Sequence, residues 1–152
     1  MTDVAPIRKQ LTVEAPAERA FRVFTAQMTT WWPKQHHIGT SPLQTCVVEP
    51  KVDGRWYEVR EDGSQCDWGK VLAWDPPRRL VLAWQLGVDF KFDPNLVTEV
   101  EVVFTSLGPT RTRVDFEHRN LDRMGPNAKT ILSALDVGWV LSLDSYTAAA
   151  AR

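Results

Sequence analysis

His118 is the residue whose type and position most suggest chemistry. It ends a segment in which Thr112, Val114 and Phe116 alternate with charged residues, and this pattern predicts a strand that turns His118 toward the interior. An imidazole in an apolar cavity can orient a ligand carbonyl or hydroxyl, or act as a general base. The alternative is a structural histidine that bonds to backbone where the strand meets the next loop. At the level of the sequence both interpretations are open.

A second group of candidate side chains consists of His36 and His37 with Cys46 and Cys66. Adjacent histidines on extended backbone point apart, and the cysteine spacing matches no usual zinc pattern, so we predict no metal site. The histidines are expected in a solvated loop after Trp32, at the rim of a cavity mouth. The sequence also lacks the nucleophile-elbow, P-loop, dinucleotide-binding and zinc-protease signatures, so no catalytic residue and no cofactor are predicted.

The seven tryptophans are the unusual feature of the composition. Trp56 and Glu58 share one face of a predicted strand, and Trp68 and Trp84 lie on the following two strands. Their rings could stack on a flat ligand with Glu58 as the polar contact, or they could simply close the sheet as large packing units. Glu58 also fits the solvated face, because the inward side of its strand is ambiguous. The candidate ligand-binding residues are Trp56, Glu58, Trp68, Trp84, Thr98, His118, Trp139 and Tyr146.

Charge, hydropathy and cysteine content exclude several classes of partner and several locations for the protein. The 152 residues contain 18 Lys and Arg against 19 Asp and Glu, a net charge of -1, which excludes a generally basic nucleic-acid binder. The longest apolar run, Leu80 to Trp84, is far shorter than the roughly 20 residues that span a bilayer, so no membrane insertion is predicted. Two cysteines are too few for a disulfide scaffold, and the N-terminus lacks the apolar core of a secretory signal. We expect a cytoplasmic protein.

The strands and helices that position these residues can be predicted from the spacing of the apolar residues along the chain. Apolar residues alternate from Ile7 to Val13, and short helical segments follow from about Ala17 and through Gln27 to Trp32. From Ala128 to Tyr146 the apolar residues recur at helical spacing, which predicts a long amphipathic helix of about six turns. Between them, turns rich in Gly, Pro and Asp separate six strands and are short enough to make consecutive strands antiparallel. The six predicted strands cover residues 43–49, 55–60, 65–74, 80–86, 96–105 and 110–118.

This order predicts a single domain over residues 1–152, of the α+β class. The long C-terminal helix should cover the inner face of a curved seven-strand antiparallel sheet, with two short helices after the first strand. One helix cannot fill a tightly curved sheet, so we expect a cavity between them. Glu99 and Glu101 should face outward, because a shift of one residue would turn every side chain over. The same alternation predicts burial of Thr98, Val100, Val102, Val114, Phe116, Leu135 and Trp139.

Short aromatic and glycine-containing motifs follow one another through the chain in a recognisable order. They are Trp31-Trp32-Pro33, Gly54-Arg55-Trp56-Tyr57-Glu58, Asp67-Trp68-Gly69-Lys70, Leu80-Val81-Leu82-Ala83-Trp84, Thr98-Glu99-Val100-Glu101-Val102 and Gly138-Trp139. In these motifs the chain resembles the SRPBCC, or START-like, superfamily, whose fold is called the helix-grip. Within it the chain is most similar to the AHSA-type branch, named after the activator of the heat-shock chaperone ATPase.

The resemblance implies a cavity for a hydrophobic or amphipathic small molecule, since relatives include lipid carriers, aromatic-ring cyclases and plant ligand receptors. We expect binding without chemistry, in a pocket between the last helix and the sheet. Two alternatives stay open: a cyclase-like or ring-modifying enzyme that uses the same cavity, and an interaction protein that stimulates a chaperone ATPase. The second makes a chaperone a further candidate partner. The expected pocket is lined by His118, Trp139 and some of Trp56, Trp68 and Trp84.

Overall fold

The computed structural model of the protein describes residues 4–38 and 40–152. A strand and a short helix come first, six strands follow, and a long helix lies near the C-terminus. The elements are β1 Ile7–Val13, α1 Ala17–Thr25, β2 Leu43–Val48, β3 Arg55–Arg60, β4 Gln65–Asp75, β5 Arg79–Trp84, β6 Thr98–Gly108, β7 Arg111–Arg119 and α2 Ala128–Ala150, with 3₁₀ turns at Met28–Thr30 and Leu121–Met124.

The seven strands form one antiparallel sheet in the order β1-β7-β6-β5-β4-β3-β2. Strands β2 to β7 lie in chain order and are joined by short connections except over residues 85–97. Strand β1 completes the sheet by pairing Ile7 with His118. The strand pairing shifts register at four places, including between Trp56 and Tyr57 on β3, and such bulges bend a sheet. The predicted α+β helix-grip, with α2 against the inner face of the sheet, is confirmed.

The predicted register of the sheet is also confirmed. On β6, Thr98, Val100 and Val102 are fully buried, whereas Glu99 and Glu101 lie on the outer face and form ion pairs there. The inward positions of β6 therefore face α2, and the charged positions face water. The other residues of this prediction are buried as well: Val114, Phe116, Leu135 and Trp139.

Several element bounds differ from the sequence prediction, and two of these differences concern β6 and the segment after α1. The strand expected from residue 96 begins only at Thr98, because Leu96 donates its backbone N–H to Asp93 O at 3.1 Å and closes a turn there. The helical segment expected through residues 27–32 is shorter, a 3₁₀ turn over Met28–Thr30. The backbone N–H of Trp32 still bonds to Met28 O at 2.9 Å, so this short turn fixes where the following loop starts.

Helix α2 buries an apolar stripe on the inner face of the sheet, and α1 packs across its C-terminal half. Phe24 of α1 meets Tyr146 of α2 with ring centroids 5.0 Å apart. The interior is therefore closed by α1 at one end of α2 and by loops at the other. In the described ranges, neither helix is both long and apolar enough to cross a membrane. The stripe consists of Ile131, Leu135, Trp139, Leu143 and Tyr146.

Candidate functional site

One half of the interior is filled by aromatic rings and is called the closed end here. Phe24 packs against Trp31, Phe104 and Tyr146, with ring centroids 5.0 to 5.9 Å apart. The Tyr146 hydroxyl donates to Ala20 O at 2.7 Å, and burial raises the pKa of this phenol well above its usual range. Tyr146 is therefore a core residue that ties α2 to α1.

The other half, called the cavity end, contains a cavity of about 80 Å³ between the sheet and the N-terminal half of α2. Four tryptophans line it, and each comes from a different part of the chain: Trp32 after the first 3₁₀ turn, Trp68 on β4, Trp84 on β5 and Trp139 on α2. Neighbouring rings in this set lie 5.0 to 5.8 Å apart in tilted or edge-to-face pairs. Large planar walls thus surround a space that the protein does not fill.

His118 lies behind this wall, and both of its ring nitrogens are bonded. The Thr98 hydroxyl donates to Trp84 O at 3.1 Å, so it accepts from His118 Nε2 at 2.8 Å. His118 Nδ1 accepts from the indole N–H of Trp139 at 3.1 Å. This pattern requires the neutral Nε2–H tautomer, and burial lowers the pKa of His118 to about 3. In this arrangement His118 orients Trp139 and has no ring nitrogen left for a ligand.

Glu58 on β3 is a fully buried carboxylate that holds the loop after Trp32 in place. Its Oε1 accepts from Trp68 Nε1 at 2.7 Å and from the backbone N–H of Ile38 at 2.6 Å. Its Oε2 accepts from Arg60 Nη1 at 2.6 Å, and Arg60 also donates to Ile38 O at 2.9 Å. We call Glu58, Arg60, Trp68 and Ile38 the Glu58 clamp. It fixes the loop and one cavity tryptophan with the same carboxylate.

His36 and His37 lie on this loop and line the cavity. His37 Nδ1 is 2.9 Å from Ile38 O and 3.7 Å from Glu58 Oε2, so one imidazole sits beside a buried carboxylate. The His36 ring lies against α2, where a Cβ atom on Gly138 would be 3.7 Å from its Cε1 atom. Burial lowers the pKa of His36, so its imidazole is neutral at pH 7.

The cysteines and histidines are not grouped as metal ligands in the described part of the chain. Residues 4–38 and 40–152 contain no group of three side chains that could hold a metal ion. Burial raises the pKa of the Cys46 thiol to about 12 and shifts the pKa of Cys66 in the same direction. Both thiols therefore stay protonated at neutral pH, which makes neither a ready nucleophile.

The sequence-predicted ligand residues separate into three places. One of them, Tyr146, belongs to the closed end. Those that line the cavity are Trp68, Trp84 and Trp139. Those that are buried but do not line it are Trp56, Glu58, Thr98 and His118.

Sequence reasoning missed Trp32 and gave His36 and His37 only a position at a cavity rim. The structure brings all three to the cavity wall. The available signal was the Trp31-Trp32-Pro33 motif directly before the two histidines. It could not be used because a loop has no periodicity from which an inward face can be read.

A wider hollow on the surface, the outer groove, lies between α1 and the turn after β4. Its volume is about 640 Å³, and Phe21, Trp74, Pro76 and Pro77 are among its lining residues. This groove is open to solvent, so a small molecule there would be enclosed on fewer sides than in the cavity. Enclosure favours the cavity as the candidate ligand site.

Comparison with known proteins shows the family of the chain. Residues 14–151 match the model of the family described as activator of Hsp90 ATPase homolog 1-like protein. Among solved structures, the anthrahydroquino-γ-pyrone synthase Txn09 is 37% identical over 88% of both chains, with a TM-score of 0.64. CalC from Micromonospora echinospora, a self-sacrificing resistance protein, is 31% identical over 95% of this chain and 93% of its own, with a TM-score of 0.68.

A third similar structure is the Aha1 dimer from Colwellia psychrerythraea. It is 17% identical over 95% of this chain and 94% of its own, with a TM-score of 0.62, which is a likeness of fold. A search of curated protein sequences finds no match. Because the family model spans nearly the whole chain and two solved structures exceed 30% identity, the chain belongs to the activator of Hsp90 ATPase homolog 1-like family, within the SRPBCC superfamily.

Proposed function

We propose that the protein binds a planar, largely apolar aromatic molecule in the cavity between the sheet and α2. The observation that carries this proposal is the convergence of four tryptophans on an unfilled space. Protein interiors are otherwise packed to about the density of organic crystals. Aromatic faces offer a flat ligand a large contact area, and a few polar groups at the rim can then set its orientation.

The size of the cavity implies that one wall moves when the ligand binds. Its volume of about 80 Å³ is below the roughly 300–1,000 Å³ of typical small-molecule pockets. The loop over residues 33–38 belongs to neither a helix nor a strand. It is held by the Glu58 clamp at Ile38 and by Trp32 Nε1, which donates to His36 O at 2.8 Å. A ligand that displaces this loop would enlarge the cavity while leaving α2 and the sheet in place.

One of the solved structures above 30% identity, Txn09, supports a small-molecule function. Txn09 is named as a synthase of an anthrahydroquinone–pyrone, which is a fused, planar ring system. Its identity of 37% over 88% of both chains supports the same class of ligand for the present chain. A planar polycyclic molecule also matches the flat tryptophan walls of the cavity.

A second candidate function, a ring-modifying enzyme, is favoured by the position of His37. This residue lines the cavity and lies 3.7 Å from the buried carboxylate of Glu58. A histidine beside a carboxylate is a common general-base arrangement. Such a base can take a proton from a carbon next to a carbonyl. The rate of deuterium uptake at C2 of 1-tetralone in D₂O tests this hypothesis. If the protein accelerates the uptake and His37→Gln does not, the enzyme function is supported. If the wild type does not accelerate the uptake, the enzyme function is contradicted.

Quenching of tryptophan fluorescence by 2-methylanthraquinone tests the binding proposal. We expect saturable quenching, because the quinone would stack on the cavity tryptophans. Gly138→Leu should raise the Kd at least about tenfold, since the new side chain grows from α2 beside His36 into the cavity. Leu is a better helix former than Gly, so the variant should fold.

Ser133→Leu is the matched control for this experiment, because it adds the same side chain to an exposed position of the same helix. Its Kd should stay within about twofold of the wild-type value. An unchanged Kd in Gly138→Leu, or no saturable quenching in the wild type, would overturn the proposal.

A further inference from the structure

Building on the proposed function, we propose that the ligand is a hydroxylated aromatic ketone whose hydroxyl bonds to His36 and whose carbonyl bonds to the indole N–H of Trp84. Both residues line the cavity. Hydrogen bonds within the protein occupy most of the other polar groups around it. Three lining side chains keep a ring nitrogen without a protein partner in the described ranges: His36, His37 and Trp84. An acceptor on His36 and the donor of Trp84 match the two polar groups of such a ligand.

The donor is identified by comparing the four cavity tryptophans. Trp32, Trp68 and Trp139 donate their indole N–H groups to protein acceptors at 2.7 to 3.1 Å. The indole N–H of Trp84 is buried and has no acceptor in the described part of the chain. Buried donors without a partner are rare in folded proteins, and each calls for an explanation. The indole N–H of Trp56 is also buried without an acceptor, but Trp56 does not line the cavity. Trp84 is therefore the donor that we assign to a ligand carbonyl once the ligand has enlarged the cavity.

The acceptor is the imidazole of His36. A neutral imidazole has one acceptor nitrogen, and burial keeps His36 neutral by lowering its pKa. Over the described ranges, neither ring nitrogen of His36 bonds to the protein, whereas His37 Nδ1 lies 2.9 Å from Ile38 O. Gly138 gives the His36 ring room against α2. A phenolic hydroxyl is a strong donor to such a nitrogen.

The charges around the cavity favour a neutral ligand over an acid. Arg60 reaches the loop at Ile38, but it is paired with Glu58 at 2.6 Å. The described residues that line the cavity include no lysine or arginine. A carboxylate or phosphate there would lose its hydration without gaining a counter-charge. A hydroxyl and a ketone on an aromatic frame avoid that cost.

A pair of isosteric ligands tests the contact with His36. 2-Hydroxyanthraquinone and 2-methylanthraquinone share their ring frame and carbonyls, so the ratio of their Kd values isolates the hydroxyl. We expect the wild type to bind the hydroxy compound about tenfold more tightly. His36→Phe should reduce this ratio to below about twofold while binding of the methyl compound persists.

Two further variants keep this test interpretable. His36→Gln retains an acceptor and should keep part of the preference, while His36→Ala should lose it in the same way as His36→Phe without adding a bulkier ring. Equal affinities of the wild type for the two compounds would overturn the role of His36. A ratio that stays unchanged in both His36→Phe and His36→Ala would overturn it as well.

A second pair of ligands, 9,10-anthraquinone and anthracene, tests the contact with Trp84. In ¹⁵N-labelled protein, the Trp84 indole N–H resonance should move downfield with anthraquinone and much less with anthracene. Trp84→Phe should weaken anthraquinone binding about tenfold and leave anthracene within about twofold. Equal losses for both ligands would overturn the role of Trp84.

The ligand pairs also distinguish failure of this inference from failure of the proposed function. Equal binding of all these ring systems would leave the protein an aromatic-binding protein without the hydroxyl and ketone selectivity. An absence of saturable binding by every one of them would overturn the proposed function itself.

Discussion

The closed end and the cavity end of the interior are both built from aromatic side chains, but their polar atoms have different partners. At the closed end, Tyr146 and Trp31 donate to backbone carbonyls of α1, both at 2.7 Å. At the cavity end, Trp32 also donates to a backbone carbonyl, but Trp68 and Trp139 donate to buried polar side chains. Trp84 at that end has no acceptor within the described residues.

This difference shows how a packed aromatic core is distinguished from an aromatic binding wall. Helix α1 has backbone carbonyls whether or not a side chain bonds to them. A hydrogen bond to one of them therefore requires no additional polar side chain to be buried. A buried carboxylate such as Glu58, or a buried imidazole such as His118, must be desolvated to serve as an acceptor. At the cavity end these costly groups hold Trp68 and Trp139 in fixed orientations around an open space.

The largest expected effect comes from breaking the closed end. Phe24→Ala should lower the free energy of unfolding by about 3–5 kcal/mol, because Phe24 is 1% exposed and packs against three other aromatic rings. Urea denaturation measures the loss, and Val140→Ala on the exposed face of α2 is the control. A loss below about 1 kcal/mol would show that the closed end is not tightly packed.

Removal of the carboxylate of the Glu58 clamp is expected to have the next largest effect. Glu58→Ala should cost about 3 kcal/mol, because it leaves the mostly buried Arg60 cation unpaired and the Trp68 indole N–H without its acceptor. Glu61→Ala, at an exposed position close by, should change the stability by less than about 0.5 kcal/mol. Similar urea midpoints for the two variants would contradict the structural role of Glu58.

The pH dependence of stability reports on His118. Its pKa is about 3 in the folded protein, against 6.5 for an ordinary histidine, so the unfolded chain binds the extra proton as the pH falls below 6.5. The stabilisation is therefore complete above pH 6.5 and is lost as the pH falls toward 3. Between pH 7 and pH 5 this one group should lower the free energy of unfolding by about 2 kcal/mol.

His118→Gln is the matched variant, because a glutamine amide can donate to Thr98 and accept from Trp139 but does not titrate. His36 also contributes to the pH dependence, but it does so equally in both proteins. The loss in the free energy of unfolding between pH 7 and pH 5, measured by urea denaturation, should therefore be about 2 kcal/mol smaller in the variant than in the wild type. The same difference in both proteins would mean that His118 is not held neutral.

The smallest expected effect concerns the polar tip at the closed end. Tyr146→Phe removes the hydroxyl that donates to Ala20 O and should cost about 1 kcal/mol, without changing the Kd for 2-methylanthraquinone. Tyr57→Phe, at a half-buried position beneath Arg55, is the control and should be nearly neutral. A change in ligand affinity in Tyr146→Phe would show that the two ends of the interior are not independent.

The sequence predicted the fold and the register well because the relevant signal is local. On β6, Thr98 and Val102 alternate with Glu99 and Glu101, and a two-residue period determines which face is buried. Glu58 was ambiguous because a buried carboxylate is rare and both faces of β3 carry aromatic and charged residues. In the structure β3 keeps the two-residue period and buries both Trp56 and Glu58.

The site was less predictable because its contacts join residues that are distant in the chain. The imidazole of His118 is bonded to Thr98 and Trp139, which are 20 and 21 residues away, and no local pattern encodes that partnership. Without it, a strand-end histidine that faces inward looks available to a ligand. His36 lies in a loop, where side-chain direction depends on tertiary contacts alone.

The most direct test of the central claim is a titration of ¹⁵N-labelled protein with 2-hydroxyanthraquinone, followed through the seven tryptophan indole N–H resonances. Single Trp→Phe variants would assign the resonances. We predict that the largest shifts occur at the tryptophans that line the cavity, while Trp31 at the closed end and Trp74 in the outer groove change little. Shifts concentrated at Trp74 or Trp31, or no shifts at a saturating concentration of the ligand, would contradict the assignment of the cavity as the binding site.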